Sequence, residues 1–239
     1  MKYQALLVSM IAASGVVHAE EEKKQPPYWG GFAELGSIIT TGNTDTSSLN
    51  AKFGAKRKGI QWDSSYKLQA LTSREDGDVS KETYYGAAQF DRNFTERSYL
   101  AIHVDHERAR FSGYTYETTA SVGYGYRVLD DDINNLDIEV GPGYSRKKLE
   151  DSSELEEEAI ARLVADYSWQ INEGTQFMQH LVAELGQESS SYESETGLKS
   201  QLNGSLATKI TYTVSYTDNV PADTENTDTE FGVTLVYSY

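Results

Sequence analysis

The chain has 239 residues, a formal charge of −16, no cysteine, and an excess of tyrosine (17) and glycine (19). The charge excludes nucleic acid as a partner, because phosphate would be repelled, and the lack of cysteine excludes disulfides as the source of stability in an exported protein. At this length a single domain is expected.

Lys2, the apolar run from Ala5 to Val17 and the small residue Ala19 read as a cleavable export signal over 1–19, too short to span a bilayer as a helix. No Cys follows the apolar run, which excludes a lipoprotein. A polar segment with Pro26-Pro27 follows, read as a periplasmic lead over 20–28. From Trp29 to the end, over 29–239, apolar and polar residues alternate with period two, and no amphipathic helix stands out. The predicted strand cores are 29–39, 47–57, 60–72, 81–91, 98–107, 117–128, 136–145, 157–169, 175–186, 195–202, 205–216 and 227–239. Each is about the ten residues that a tilted membrane strand needs. The segment Leu49 to Lys56 shows the pattern well: Leu49, Ala51, Phe53 and Ala55 on one face, Asn50, Lys52 and Lys56 on the other. Pro142, between Gly141 and Gly143, removes a ladder bond and predicts a bulge in the seventh strand.

The connections 40–46, 73–80, 108–116, 146–156, 187–194 and 217–226 are polar and fairly long, and those between them are mostly shorter. Long loops outside and short turns in the periplasm are the usual asymmetry, so both termini are expected in the periplasm. Trp29, Trp62 and Trp169 fall at strand ends on that side, and with Tyr237 and Tyr239 they form a predicted interfacial girdle. The last strand alternates to its final residue and ends on Tyr239, the kind of terminal signal that the outer-membrane assembly machinery reads.

The alternative to a membrane barrel is a soluble β-sandwich with one wet face. A ring of about twelve strands is too wide for apolar side chains to fill, and the polar face carries too many charges to form a dry core. Turning the apolar face to lipid resolves both, and closure satisfies every backbone N–H and C=O. The expected fold is therefore all-β: a closed antiparallel transmembrane barrel of about twelve strands in up-and-down order, located in the outer membrane. The predicted lumen candidates are Lys52, Lys67, His103, Asp105, Glu107, Arg127, Asp137, Glu139, Arg162, Asp166, His180, Glu184, Lys209 and Glu230.

His103, Asp105 and Glu107 share the inner face near the outer end of the fifth strand, where a rim hydrolase would place a base and its orienting acid. No nucleophile accompanies them in a recognisable motif, and a lumen polar network is the simpler account; His180 is read as a lone inward histidine. No catalytic residues, metal ligands or cofactor are assigned. Acidic clusters in the outer loops (Glu75, Asp76 and Asp78; Glu150, Asp151, Glu154, Glu156 and Glu157; Glu188 and Glu193; Asp218, Asp223 and Glu225) are solvated surface or sites for divalent cations shared with lipopolysaccharide.

Trp29-Gly30-Gly31-Phe32-Ala33-Glu34-Leu35-Gly36, Thr41-Gly42-Asn43-Thr44, Gly123-Tyr124-Gly125-Tyr126-Arg127 and Glu139-Val140-Gly141-Pro142-Gly143-Tyr144 occur in this order. Together they resemble the salt-induced outer membrane protein family, an uncharacterised-domain group of Gram-negative bacteria. The resemblance implies an outer-membrane barrel and a link to salt or osmotic stress, and it carries over no activity or catalytic residue. Three functions stay open: a narrow, cation-preferring, porin-like channel for small solutes, a structural envelope-stabilising barrel with a closed lumen, and a rim hydrolase. A non-enzymatic barrel in contact with lipid and lipopolysaccharide is expected.

Overall fold

A computed structural model describes residues 27–40, 46–110, 112–149, 155–220 and 225–239. The export signal over 1–19 and nearly all of the lead lie outside the described residues. Twelve strands follow one another: β1 (Tyr28–Thr40), β2 (Thr46–Lys58), β3 (Trp62–Glu75), β4 (Asp78–Asn93), β5 (Ser98–Arg110), β6 (Tyr114–Asp130), β7 (Asn134–Leu149), β8 (Leu155–Asn172), β9 (Thr175–Leu185), β10 (Ser190–Gln201), β11 (Leu206–Thr217) and β12 (Thr227–Ser238). Each pairs antiparallel with its chain neighbour, and β12 closes on β1 to make one barrel. The predicted architecture is the observed one.

Side chains sort by the period-two alternation. Leu35, Leu68, Ile102, Val140, Leu163 and Val233 point out and are exposed, while Glu34, His103, Glu139, Arg162 and Lys209 are buried inside. Among the described residues no large side chain is fully buried, so no dry apolar core exists. An apolar exterior around an ionic interior is stable only where hydrocarbon surrounds the wall.

The strands run further than their predicted cores at the end away from the termini. β3 and β4 meet through Asp76-Gly77 alone, with φ of 50° and 93°, the positive pair that a tight two-residue hairpin needs. Residues 73–80 are thus mostly strand, and so are most of 108–116, where only 111–113 separate β5 from β6. The tight ends near the termini include 131–133, where the Asp131 carboxylate accepts N–H bonds from Ile133 (2.8 Å) and Asn134 (2.6 Å). Those bonds hold its pKa below the usual carboxylate value.

The bulge expected at Pro142 is absent. The β6–β7 register is the same on either side of it (Ser121↔Gly143, Tyr124↔Val140) and shifts instead at Tyr114/Tyr116 and Arg127/Leu129. Pro142 sits opposite Ala161 of β8 in an unbroken register. On the β6 side the register has no Val122↔Pro142 or Gly123↔Gly141 pair, so the proline, which has no N–H to give, sits at a break in that ladder without shifting it.

Trp29, Trp62, Trp169, Tyr237 and Tyr239 all project outward near the end that carries the termini. Arg92 lies over the Trp62 ring at 5.3 Å. Near the other end Tyr192 and Tyr216 stand side by side with centroids 6.2 Å apart.

Candidate functional site

The interior of the barrel is the candidate site, and its side chains form three connected groups. The first spans β2 to β7. Arg127 donates from Nη2 to Asp63 Oδ2 (3.3 Å) and Asn93 Oδ1 (2.9 Å), and from Nη1 to the Glu96 carbonyl (2.8 Å). Asp63 also takes Lys58 Nζ at 3.2 Å and the Gly59 N–H at 2.9 Å. The Arg127 guanidinium lies over the Tyr99 ring at 4.9 Å, and the Tyr99 hydroxyl donates to Glu139 Oε1 at 2.9 Å. Gln89 Nε2 bridges Glu139 and Asp91, both at 2.9 Å, and the Gln89 carbonyl faces His103 Nδ1 at 3.3 Å. His103 Nε2 reaches Asp105 at 2.8 Å.

The second group spans β10 to β2: Lys209 Nζ lies 3.3 Å from both Glu34 and Glu195, and Lys52 Nζ 3.4 Å from Glu195. The third spans β6 to β9: Arg162 donates to Glu184 at 3.2 Å, and Lys147 lies 3.4 Å from Glu117.

Several of these bonds jump strands. Lys52 on β2 meets Glu195 on β10 past three intervening strands, Arg127 on β6 meets Asp63 on β3, and Lys81 on β4 pairs with Glu230 on β12. Neighbours on a wall need no such reach, so the links cut chords through the bore and narrow it.

All fourteen predicted lumen candidates project inward. Lys67 lies over the Tyr85 ring at 5.4 Å. Glu107 faces Glu117, and Asp137 faces Asp166, across adjacent strands. His180 is not alone: its Nδ1 lies 2.6 Å from Asp166. His103 sits in mid-strand, because β5 runs on to Arg110, and so it is not at the rim. Its ring nitrogens both face other oxygens, leaving neither to take a proton from Ser121, its cross-strand neighbour.

Five of the acidic loop residues, Glu75, Asp78, Glu156, Glu157 and Glu193, belong to strands, and of these Glu156 and Glu193 point inward between β7 and β8 and between β9 and β10. Glu150, Asp151, Glu154 and Asp223 lie outside the described residues, as does Asn43. Among the described residues no group of three or more His, Cys, Asp or Glu is disposed to hold a metal ion.

The sequence reading missed Glu34, Gln89, Tyr99 and Glu195, which complete the first two groups. A signal existed for Glu34 alone, which lies in the first motif of the family resemblance and is the register partner of Lys52; two other motifs meet in space, Gly125 being the register partner of Glu139.

Fold and interior together define the class, a transmembrane β-barrel with an ion-paired polar lumen. Within it, the chain belongs to the DUF481 family, described as proteins of unknown function, which matches residues 33–239. It is 26% identical over 209 residues to the uncharacterized protein YdiY of Escherichia coli K12, covering 87% of this chain and 82% of that one. The fold is also similar to that of the COG4313 outer membrane channel from Pseudomonas putida F1 (TM-score 0.53, 9% identity, 94% of this chain and 100% of that one). It is similar too to the translocator domain of the autotransporter NalP from Neisseria meningitidis (0.51, 11%, 88% and 87%). A third similar fold is that of the KdgM porin solved with disordered oligogalacturonate (0.50, 10%, 88% and 99%).

Proposed function

We propose that this protein is a non-enzymatic barrel of the Gram-negative outer membrane, with both termini in the periplasm, and that its lumen passes small cations and small solutes under salt or osmotic stress. The observation that carries the reading is the interior itself: charged on every wall, crossed by ion pairs, and biased toward acid. Asp63 faces Asp91, Glu107 faces Glu117 and Asp137 faces Asp166, against one basic match, Lys199 with Lys209. Rings of carboxylate favour cations. The tryptophans near the termini support a periplasmic interface there, and the aromatic end of β12 suits recognition by the assembly machinery. In this orientation the exposed Asp76, Glu188 and Asp218 would face lipopolysaccharide and its divalent cations.

Planar-bilayer recording in a KCl gradient tests this. Discrete openings with a reversal potential of cation sign are expected, and a membrane silent from low to high salt would refute conduction. One observation favours a second reading, an envelope-stabilising barrel with a closed lumen: the Asp63–Arg127–Tyr99–Glu139–Gln89 chain ties β3 to β7 through the bore. A deletion strain that dies in high salt while solute uptake is unchanged would select that reading.

A further inference from the structure

The outward face changes character abruptly toward the barrel end away from the termini. On β7, Leu136, Ile138, Val140, Pro142 and Tyr144 face out, and then come Arg146 and Lys148. Arg146 follows Leu136 by ten residues, about the length of tilted strand that crosses the hydrocarbon. β5 changes at the same level: Ile102 and Val104 face out, then His106, Arg108 and Arg110. The register fixes the alignment. Val104, Ala120 and Tyr144 share the last apolar row, and His106, Thr118 and Arg146 share the next.

Four cations, Arg108, Arg110, Arg146 and Lys148, thus stand at the edge of the apolar band, flanked by two carboxylates, Glu82 on β4 and Glu157 on β8. Arg110 donates to Glu82 at 2.9 Å and Arg146 lies 3.2 Å from Glu157, yet the two arginines stay 56% and 46% exposed. Arg108 and Lys148 have no hydrogen-bond or ion-pair partner among the described residues. Tyr116 lies between their strands, its ring 5.6 Å from that of His106, and tyrosine at this level is typical of a membrane interface.

This surplus of cations sits on the outside of a chain whose net charge is −16, and it is one-sided. Across the barrel the outer ends of β9 to β12 present Ala183, Leu185, Tyr192, Tyr216, Thr227 and Thr229, with no outward charge among the described residues. Cations that only solubilise a surface suit any loop. Cations confined to the hydrocarbon edge of neighbouring strands match anions held at that depth, and the phosphate of a lipid head group is such an anion.

We infer that the outward patch of Arg108, Arg110, Arg146 and Lys148 binds the phosphates of a bis-phosphorylated outer-leaflet glycolipid, whose acyl chains lie along the apolar rows below. Guanidinium groups take phosphate oxygens bidentately. The β5 and β7 cations are two strand spacings apart, roughly 10 Å, a spread that suits two phosphates better than one. The inference deepens the outer-membrane reading and rests on it. The contact is direct, whereas the acidic loops would need a bridging divalent cation.

The test titrates the folded full barrel in detergent with lipid A and counts bound lipid by native mass spectrometry. Bisphosphoryl lipid A should bind, monophosphoryl lipid A more weakly and phosphatidylcholine least, and the order should survive EDTA because the cations are the protein's own. Arg108→Gln with Lys148→Gln should weaken bisphosphoryl binding about tenfold or more. Arg57→Gln removes an outward charge at the opposite edge and should leave it unchanged. Equal binding of the three lipids, loss in EDTA, or an equal loss in Arg57→Gln overturns the inference; should the double variant misfold, the lipid series on the parent decides alone. The leaflet is read separately. The chain has no cysteine, so Gln187→Cys, in the exposed β9–β10 turn at the same end, should react with an impermeant maleimide on intact cells. Labelling only after lysis puts the patch in the inner leaflet and overturns this occupant. A chain that gains no heat-modifiable gel mobility and inserts into no vesicle removes the membrane reading itself, a failure distinct from the others.

Discussion

Tyr99 lies against Gly125, where a Cβ would come within 2.2 Å of its ring, and it is 2% exposed. The missing side chain on β6 is therefore what allows the ring to sit between Arg127 and Glu139. Gly125→Val should displace it and cost about 1–3 kcal/mol, the range for overpacking, seen as a lower urea midpoint in folding titrations into lipid. Tyr99→Phe keeps the packing and removes one donor to Glu139, at a cost of about 1–2 kcal/mol. A loss in Tyr99→Phe equal to that in Gly125→Val would show that the hydroxyl, not the fit, holds the network. At this scale the sequence was only half legible. Arg127 and Glu139 stand out as charges at inward positions, but Tyr99 belongs to a residue type that mostly points outward in this chain, Tyr85 and Tyr114 being further exceptions, and only its parity on β5 places it inside.

Among the strands, alternation identified every element but not every end. Between Ser73 and Lys81 both faces are polar because the hairpin projects past the apolar band, so the period-two contrast disappears although the ladder continues. The loop asymmetry used to orient the barrel shrinks accordingly, and the tryptophans carry more of that argument. Alternation also hides inward apolar residues: Ile160 and Val164 flank Arg162 inside, at 6% exposure each. The outward partner of this set, Leu163, gives a sharp test of which face meets hydrocarbon. Leu163→Arg should cost about 2–4 kcal/mol near the bilayer midplane, while Val164→Thr, one residue along and facing the polar lumen, should cost less, because its hydroxyl has polar neighbours there. Refolding into vesicles under urea would measure both, and the reverse order would invert the barrel.

For the molecule as a whole, the decisive quantity is how the ionic interior balances across the bore. The Lys52–Glu195–Lys209–Glu34 group holds two cations with two carboxylates, and Glu195 is the one that joins the two lysines. Glu195→Gln removes that charge while keeping the shape, leaving Lys52 and Lys209 with Glu34 alone nearby. Two consequences should follow in planar bilayers: the chord between β2 and β10 loosens, raising single-channel conductance, and the local surplus turns positive, moving the reversal potential in a KCl gradient toward the anion side. Salt should act on the parent protein in the first sense only, because screening weakens partly hydrated ion pairs without changing their count. Conductance would then climb faster than bulk conductivity as KCl rises, with selectivity falling but not reversing. A parent channel whose conductance tracks bulk conductivity, paired with a Glu195→Gln variant of unchanged reversal potential, would mean that the current does not pass this group at all.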